Sequence, residues 1–408
     1  MVTCADLIPF CLKKNSIKIA IACIIILCAF LFTSNSAASK NVVLATTLPK
    51  PIKAKETASF VVKHFPINTT KNVRHKLDSL LIRANKRQDF HGSVLVAKNG
   101  KILYDSQIGF ADFRKKVLLN KKSLFQLASV SKQFTAAAIM LLKEQNKLQL
   151  SDSVTAYYPN FPYKNVTIKN LLNHTAGLPK YFWVAEHKWN QQKAPSNSEM
   201  MDLLASSNVL RFFKPGHGFD YSNTNYMVLA SIVEKISGIS FSNFLKDNIF
   251  DPLQMKNSYV YSFEKDSIKK NQLDGYRLYK GWRHLKIRST VNDAIVGDKN
   301  VYTTAEDLFK WTNGLNSEKI LTKESVNLMY AKGETISGRK VPYGLGFRID
   351  SEENNSVYHR GRWNGFSTAL TKYLDDDLVV IILEHTSYRD IKSLNTKIKD
   401  IVTDNFIL

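Results

Sequence analysis

The four cysteines of this 408-residue chain, Cys4, Cys11, Cys23 and Cys28, all fall within its first 28 residues. The remainder therefore offers no disulfide, no thiol nucleophile and no thiolate metal site. The formal net charge is +22, but the lysines are scattered, with no long basic block and no aromatic-interleaved repeat; this argues against a nucleic-acid partner and for attraction to an anionic envelope surface.

Lys13, Lys14 and Lys18 precede an unbroken apolar run from Ile19 to Phe32, and small polar residues follow from Thr33 to Ser39. The run is shorter than the roughly 20 residues a spanning helix needs. Ser36-Ala37-Ala38 offers a small-residue cleavage site. Residues 1–40 thus read as a signal peptide or an uncleaved N-terminal anchor, and the bulk of the chain as exported to the periplasm or cell envelope. Residues 41–70, with Pro49-Lys50-Pro51 and little periodicity, read as a linker to a single domain over 71–408.

From Val73 to Lys86 the pattern is helical. Gly92–Ala97 and Lys101–Tyr104 are strand-like runs flanking Lys98-Asn99-Gly100, a hairpin signal, and Gly109-Phe110-Ala111 continues the meander. A mostly helical middle runs to about Ile249. Strands return near Gly344–Ile349, Ser356–His359, Thr368–Tyr373 and Leu378–Glu384, before a last helix from about Tyr388. Strands at both ends of a helical middle predict an α+β fold: an antiparallel sheet assembled from both termini, flanked by helices, with an all-helical lobe inserted.

The segment Ser129-Val130-Ser131-Lys132 carries the chemistry. Phe134, Ala137, Ala138, Leu141 and Leu142 follow it at i, i+3, i+4, i+7 and i+8, which predicts a helix with one buried stripe. Ser129 then sits at the helix start and Lys132 lies one turn on, within reach of the serine oxygen. A serine hydroxyl needs a neighbouring base, and a lysine serves if burial or nearby positive charge lowers its pKa. Ser-x-x-Lys also occurs at Ser262/Lys265, Ser267/Lys270 and Ser337/Lys340, but without a comparable apolar stripe, so those read as solvated surface.

Downstream lie Leu171-Leu172-Asn173-His174-Thr175-Ala176-Gly177-Leu178-Pro179, in which His174 reads as a brace of its turn; Tyr221-Ser222-Asn223, ahead of a helical run; and His359-Arg360-Gly361, leading into Trp363. Taken singly, these segments are common. The nine histidines include no His-Glu-x-x-His and no tight cluster, so no metal or other cofactor is expected.

In this order the segments resemble the motifs Ser-x-x-Lys, Tyr-x-Asn and Lys/His-x-Gly of the serine β-lactamase-related family. That family includes class C β-lactamases, penicillin-binding D-alanyl-D-alanine carboxypeptidases, and related esterases and D-aminopeptidases. The resemblance covers roughly residues 75–390 and implies a β-lactamase/transpeptidase-like fold with the serine in a cleft between two lobes. It further implies an acyl-enzyme on Ser129, with Lys132 and Tyr221 sharing the proton transfers. Asn223 would hold the substrate amide or carbonyl, the N–H groups of Ser129 and Arg362 would form an oxyanion hole, and His359 and Gly361 would line the substrate strand. His359 stands where lactam specialists carry lysine. Because histidine titrates near neutrality, it is expected to bind a substrate carboxylate only in its protonated form. That departure argues against efficient penicillin hydrolysis and leaves peptidase and esterase chemistry open, on a small-molecule or peptide substrate. A catalytically silent envelope-binding protein on the same fold is the alternative, and the intact Ser129, Lys132, Tyr221 and Asn223 argue against it.

Overall fold

The computed structural model describes residues 61–406 apart from 191, 263–268 and 353. The signal or anchor segment 1–40, linker residues 41–60, and Lys265 and Ser267 of the surface Ser-x-x-Lys matches lie outside the described residues. Regular structure lies within the stretch that the pattern reads as a linker. Strand β1 (Lys63–His64) pairs in parallel with β3 (Lys101–Ile108), and helix α1 (Ile67–Gln88) begins at residue 67. Between them Phe65 is buried against the Phe406 ring, with centroids 5.0 Å apart. A two-residue strand has no periodicity to read, which is why this stretch resembles a linker.

Strands β2 (Gly92–Lys98) and β3 form the expected hairpin. Asn99 and Gly100 both take positive φ, 49° and 68°, as a two-residue turn matched to strand twist requires. The meander then stops. Gly109 turns the chain at φ 94°, with His91 so close that a Cβ there would lie 2.1 Å from its Nδ1. Strand β4 (Phe110–Asp112) leaves the sheet and pairs only with β5 (Val117–Leu118), contrary to the expected continuation.

β6 (Phe125–Gln126) precedes a 3₁₀ turn, Ala128–Ser131, and helix α2 (Lys132–Glu144). The helical lobe follows: α3 (Ile168–Leu172), α4 (Tyr181–Lys188), α5 (Asn197–Ser206), α6 (Asn223–Ser237) and α7 (Phe241–Leu245). β7 (Tyr259–Val260), the hairpin β8 (Tyr276–Tyr279) and β9 (Arg283–Lys286), β10 (Val301–Thr303), α8 (Ala305–Asn316) and α9 (Lys323–Tyr330) lead back to the sheet. There β11 (Arg348–Asp350), β12 (Ser356–Trp363), β13 (Phe366–Tyr373) and β14 (Leu378–Glu384) precede α10 (Ile391–Asn405). The seven-stranded order is β1-β3-β2-β14-β13-β12-β11, antiparallel except at β1.

The sheet is covered on both faces, so β14 is buried along its whole length. Leu95, Ala97, Ile381 and Leu383 point inward, towards α2 and the helical lobe. Val94, Val96, Val380 and Ile382 point outward, beneath α1 and α10. Helix α2 corrects the single-stripe expectation: every residue from Lys132 to Leu142 is buried. It is the central helix of the molecule, and its polar residues find partners rather than solvent. Gln133 accepts from Trp311 Nε1 at 3.0 Å, and Thr135 donates to the Gly297 carbonyl. No single helix among the described residues is long and apolar enough to cross a membrane.

Candidate active site

The serine turn is clamped from both sides. Leu127 N donates to Val301 O at 2.8 Å, Val301 N donates to Ser131 Oγ at 3.0 Å, and Thr368 Oγ1 donates to Leu127 O at 2.6 Å. Ala128 is held at φ 47°, a costly conformation for a residue with a Cβ. Strand β12 approaches this turn at Gly361, where any side chain would lie 2.2 Å from the Leu127 carbonyl oxygen. Glycine is what lets the strand reach the serine.

Lys132 is wholly buried, and its Nζ lies 3.1 Å from Ser129 Oγ, 2.8 Å from Asn223 Oδ1 and 2.8 Å from the Asp298 carbonyl oxygen. Burial lowers its pKa to about 7; the Asp298 carboxylate opposes that shift and the Arg348 guanidinium assists it. Asn223 Oδ1 and the Asp298 carbonyl can only accept. A neutral amine gives its two protons to them and turns its lone pair towards the Ser129 hydroxyl. The Tyr221 hydroxyl is also buried, on the Ser129 side of the site. Burial raises its pKa well above the usual phenol range, while Ser129 and Arg348 pull it back.

Tyr221 is held in place by His174. The imidazole Nδ1 accepts from Ser222 N at 3.2 Å, Asp220 N donates to His174 O at 3.0 Å, and the two rings lie 4.4 Å apart. The brace read from the sequence thus extends to the tyrosine segment.

His359 differs from expectation. It is 1% exposed, with Nδ1 2.9 Å from Arg360 O and Nε2 2.9 Å from the Tyr343 hydroxyl. The carbonyl takes the Nδ1 proton, so Nε2 accepts from tyrosine, and no ring atom is left to bind an anion. Burial, then the charges of Lys132 and Arg348, push its pKa well below the ordinary histidine range. The expected titration near neutrality is absent because this imidazole is sealed and neutral.

The cation in the cleft is instead Arg348, which the sequence reading missed. Its guanidinium sits 4.8 Å from the Tyr221 ring centre and 5.9 Å from that of Tyr343. It lies in the late strand expected over Gly344–Ile349, but nothing in the pattern distinguishes it from any other edge arginine. Also missed was Asp298-Lys299. The Lys299 ammonium donates to Tyr181 Oη at 2.8 Å and to Asp298 Oδ1 at 3.3 Å, and Tyr181 donates to Asp298 Oδ2 at 3.1 Å. The Phe182 and Trp363 rings lie nearby, tilted to one another with centroids 4.9 Å apart, and Lys299 lies against both. Strand β11 pairs with β12 only as far as Arg348–Tyr358, so the edge of β12 over His359–Trp363 is open on that side. The Arg362 side chain is exposed, and it lines a cavity away from the serine.

One cluster contradicts the reading of scattered histidines: Asp89, His91 and His284 place ligand-type atoms within 4.8 Å of one another. Their protons account for the arrangement. His91 Nδ1 accepts from Phe110 N at 3.0 Å, so Nε2 carries the proton and gives it to Asp89 at 3.1 Å. His91 in this tautomer has no lone pair for a cation.

The beta-lactamase family model matches residues 77–403. The chain belongs to the beta-lactamase family. Penicillin-binding protein 4* of Bacillus subtilis is 34% identical over 328 residues, covering 77% of this chain and 72% of that protein. Protein flp of Staphylococcus aureus (strain MW2) is 27% identical over 349 residues, 81% of this chain and 67% of its own. Among solved structures, a penicillin-binding protein from Bacillus halodurans superposes with TM-score 0.69 at 23% identity, covering 80% of this chain and 98% of that one. The hydrolase EstCE1 superposes with TM-score 0.69 at 21% identity, covering 82% and 99%. These likenesses agree with the expected β-lactamase-like fold, a main antiparallel sheet with flanking helices and a helical lobe.

Proposed function

We propose that this serine hydrolase of the β-lactamase fold is exported and cleaves a peptide bond to a D-amino acid, or an ester, through an acyl-enzyme on Ser129, with little or no β-lactam hydrolysis. The observation that carries the reading is Lys132 Nζ, buried with a pKa near 7 and 3.1 Å from Ser129 Oγ. Ser129 Oγ attacks the carbonyl carbon and its proton passes to the neutral Lys132 amine. The Tyr221 phenol, kept protonated by burial, passes a proton to the departing amine or alkoxide as the carbonyl–heteroatom bond breaks, and takes in its place the proton that Lys132 received from Ser129. Water then attacks the acyl-serine by the reverse relay. The N–H groups of Ser129 and Arg362 receive the oxyanion. Asn223, whose Oδ1 is engaged by Lys132, keeps its amide N–H₂ for the substrate carbonyl. The substrate lies along the open edge of β12.

Arg348 takes the part first expected of His359, binding a substrate carboxylate in a way that does not depend on pH, since guanidinium stays charged throughout the working range. The relatives named as penicillin-binding proteins and as a hydrolase support the acyl-transfer reading without choosing the scissile bond. The test is covalent labelling by a fluorophosphonate and a fluorescent penicillin, alongside a panel of short nitrophenyl esters, D-Ala-D-Ala peptides and a chromogenic cephalosporin. Labelling and turnover of esters or peptides in wild type, both absent in Ser129→Ala, are expected. Labelling that persists in Ser129→Ala overturns the proposal.

A further inference from the structure

Two cavities meet on the outer side of the sheet, where α1 and α10 pack. One, of about 200 Å³, is lined by Arg83 and Arg87 of α1 and Lys397 of α10. The other, of about 520 Å³, is lined by Arg277 of β8, Arg362 of β12 and Arg389 just ahead of α10. Gln88 and Tyr388 line both. All six cations are exposed, and none forms an ion pair among the described residues. The two carboxylates in the larger cavity are already engaged. Asp89 is held by His91 and His284, and Asp390 accepts from the Gln88 amide at 3.2 Å.

Single exposed lysines elsewhere pair with acids, as in Lys193–Glu199, Lys246–Asp251 and Lys340–Glu334. What sets this groove apart is clustering: six cations line two adjoining cavities against two carboxylates. Clustered like charges focus a positive potential that multivalent anions relieve. Guanidinium forks match phosphate oxygens bidentately. A single phosphate would neutralise one cavity and leave the other as it was, whereas a chain of phosphates serves both.

We propose that this groove binds a linear polyanion through its repeated phosphates. The proposal is independent of the serine chemistry, which belongs to the opposite face of the sheet. The test titrates the full chain, in mild detergent, with long-chain inorganic polyphosphate and with orthophosphate. It is repeated for the double variants Arg83→Gln/Lys397→Gln and Arg277→Gln/Arg389→Gln. Lys246→Gln/Lys340→Gln removes the same charge from paired lysines elsewhere and serves as the control. Polyphosphate should bind much more tightly than orthophosphate. Each groove variant should weaken it at least about tenfold and lower the salt slope by about two, as loss of two phosphate contacts requires. The control should stay within about twofold, and thermal melting with neutral-ester turnover should report all variants folded. Equal losses in the control reduce the effect to net charge and overturn the proposal. So does orthophosphate binding as tightly as the polymer. Vesicles of phosphatidylglycerol that respond to the groove substitutions when polyphosphate does not would overturn it in favour of a lipid surface.

Discussion

On the inner face of the sheet, Lys132 and Lys299 are buried against carbonyl and carboxylate oxygens, and burial lowers the pKa of both. On the outer face Arg83, Arg87, Arg277, Arg389 and Lys397 stand in solvent, with Asp89 and Asp390 as the carboxylates that line their two cavities. The difference lies in desolvation. Removing an ammonium from water disfavours its charged form, so a buried lysine can release its proton and act as a base. An exposed guanidinium keeps its charge and can only attract. One lysine- and arginine-rich chain thereby makes a base on one face of the sheet and an anion-attracting groove on the other.

The largest test of this contrast is Lys132→Ala. It should reduce single-turnover acylation by roughly 10²-fold or more, the usual scale for a positioned acid–base group. In wild type, kcat/KM should rise with pH through about 7, as Lys132 loses its proton. Stability should show the same sign. The unfolded chain keeps the lysine proton up to about pH 10 while the folded chain has lost it above about 7. Within that window the unfolded state binds more protons, and stability rises with pH. Lys132→Ala should flatten that rise. An unchanged pH–rate profile in wild type between 6 and 9 would remove Lys132 as the base.

Arg348→Gln comes next. A lost hydrogen bond to a charged group is worth about 1.5–3 kcal/mol, so kcat/KM for a carboxylate-bearing peptide should fall roughly 10- to 100-fold. A neutral ester should be spared most of that loss. Because Arg348 also helps lower the Lys132 pKa, both substrates will shift somewhat together, and the ratio between them is the measurement. Equal losses on both would confine Arg348 to tuning the base.

The sequence makes the sheet legible where local chemistry dictates structure. Asn99-Gly100 can close only a tight hairpin, and the continuous apolar run Leu378–Leu383 belongs in a strand covered on both faces. Ser129, Lys132, Tyr221 and Asn223 were each named, and the structure brings them together around Lys132 Nζ. What escaped the reading depends on distant partners. Gln133 and Thr135 look like the solvent side of a helix, yet they bond to Trp311 and Gly297, more than 160 positions away. His359 was read as a titrating group because nothing local announces that Tyr343 would cover it. Asp298-Lys299 reads as loop polarity until Tyr181 is seen against it.

That buried pair offers a smaller and sharper test. Lys299→Met would leave the Asp298 carboxylate without its cation, and an uncompensated carboxylate near Lys132 raises the lysine pKa. The acid limb of kcat/KM should move to higher pH, with activity recovered at alkaline pH, and Lys299→Met/Asp298→Asn should move it back. If neither variant shifts the limb, burial alone sets the base.

The smallest effect expected is at Ser131, two residues from the nucleophile. Its Oγ accepts from Val301 N at 3.0 Å, away from Lys132, and ties the serine turn to β10. Ser131→Ala would leave a buried backbone N–H without its acceptor, a loss of about 1–3 kcal/mol in unfolding free energy. The clamp from Leu127 N to Val301 O and from Thr368 Oγ1 to Leu127 O remains, so the turn should keep its shape. Acylation at saturating substrate should stay within about threefold of wild type, since no proton passes through this hydroxyl and no contact to the reacting atoms is lost. Denaturant melts with single-turnover rates separate the two quantities. A large rate loss with unchanged stability would mean that Ser131 reaches the reaction directly, and the division of labour between the two serines would have to be redrawn.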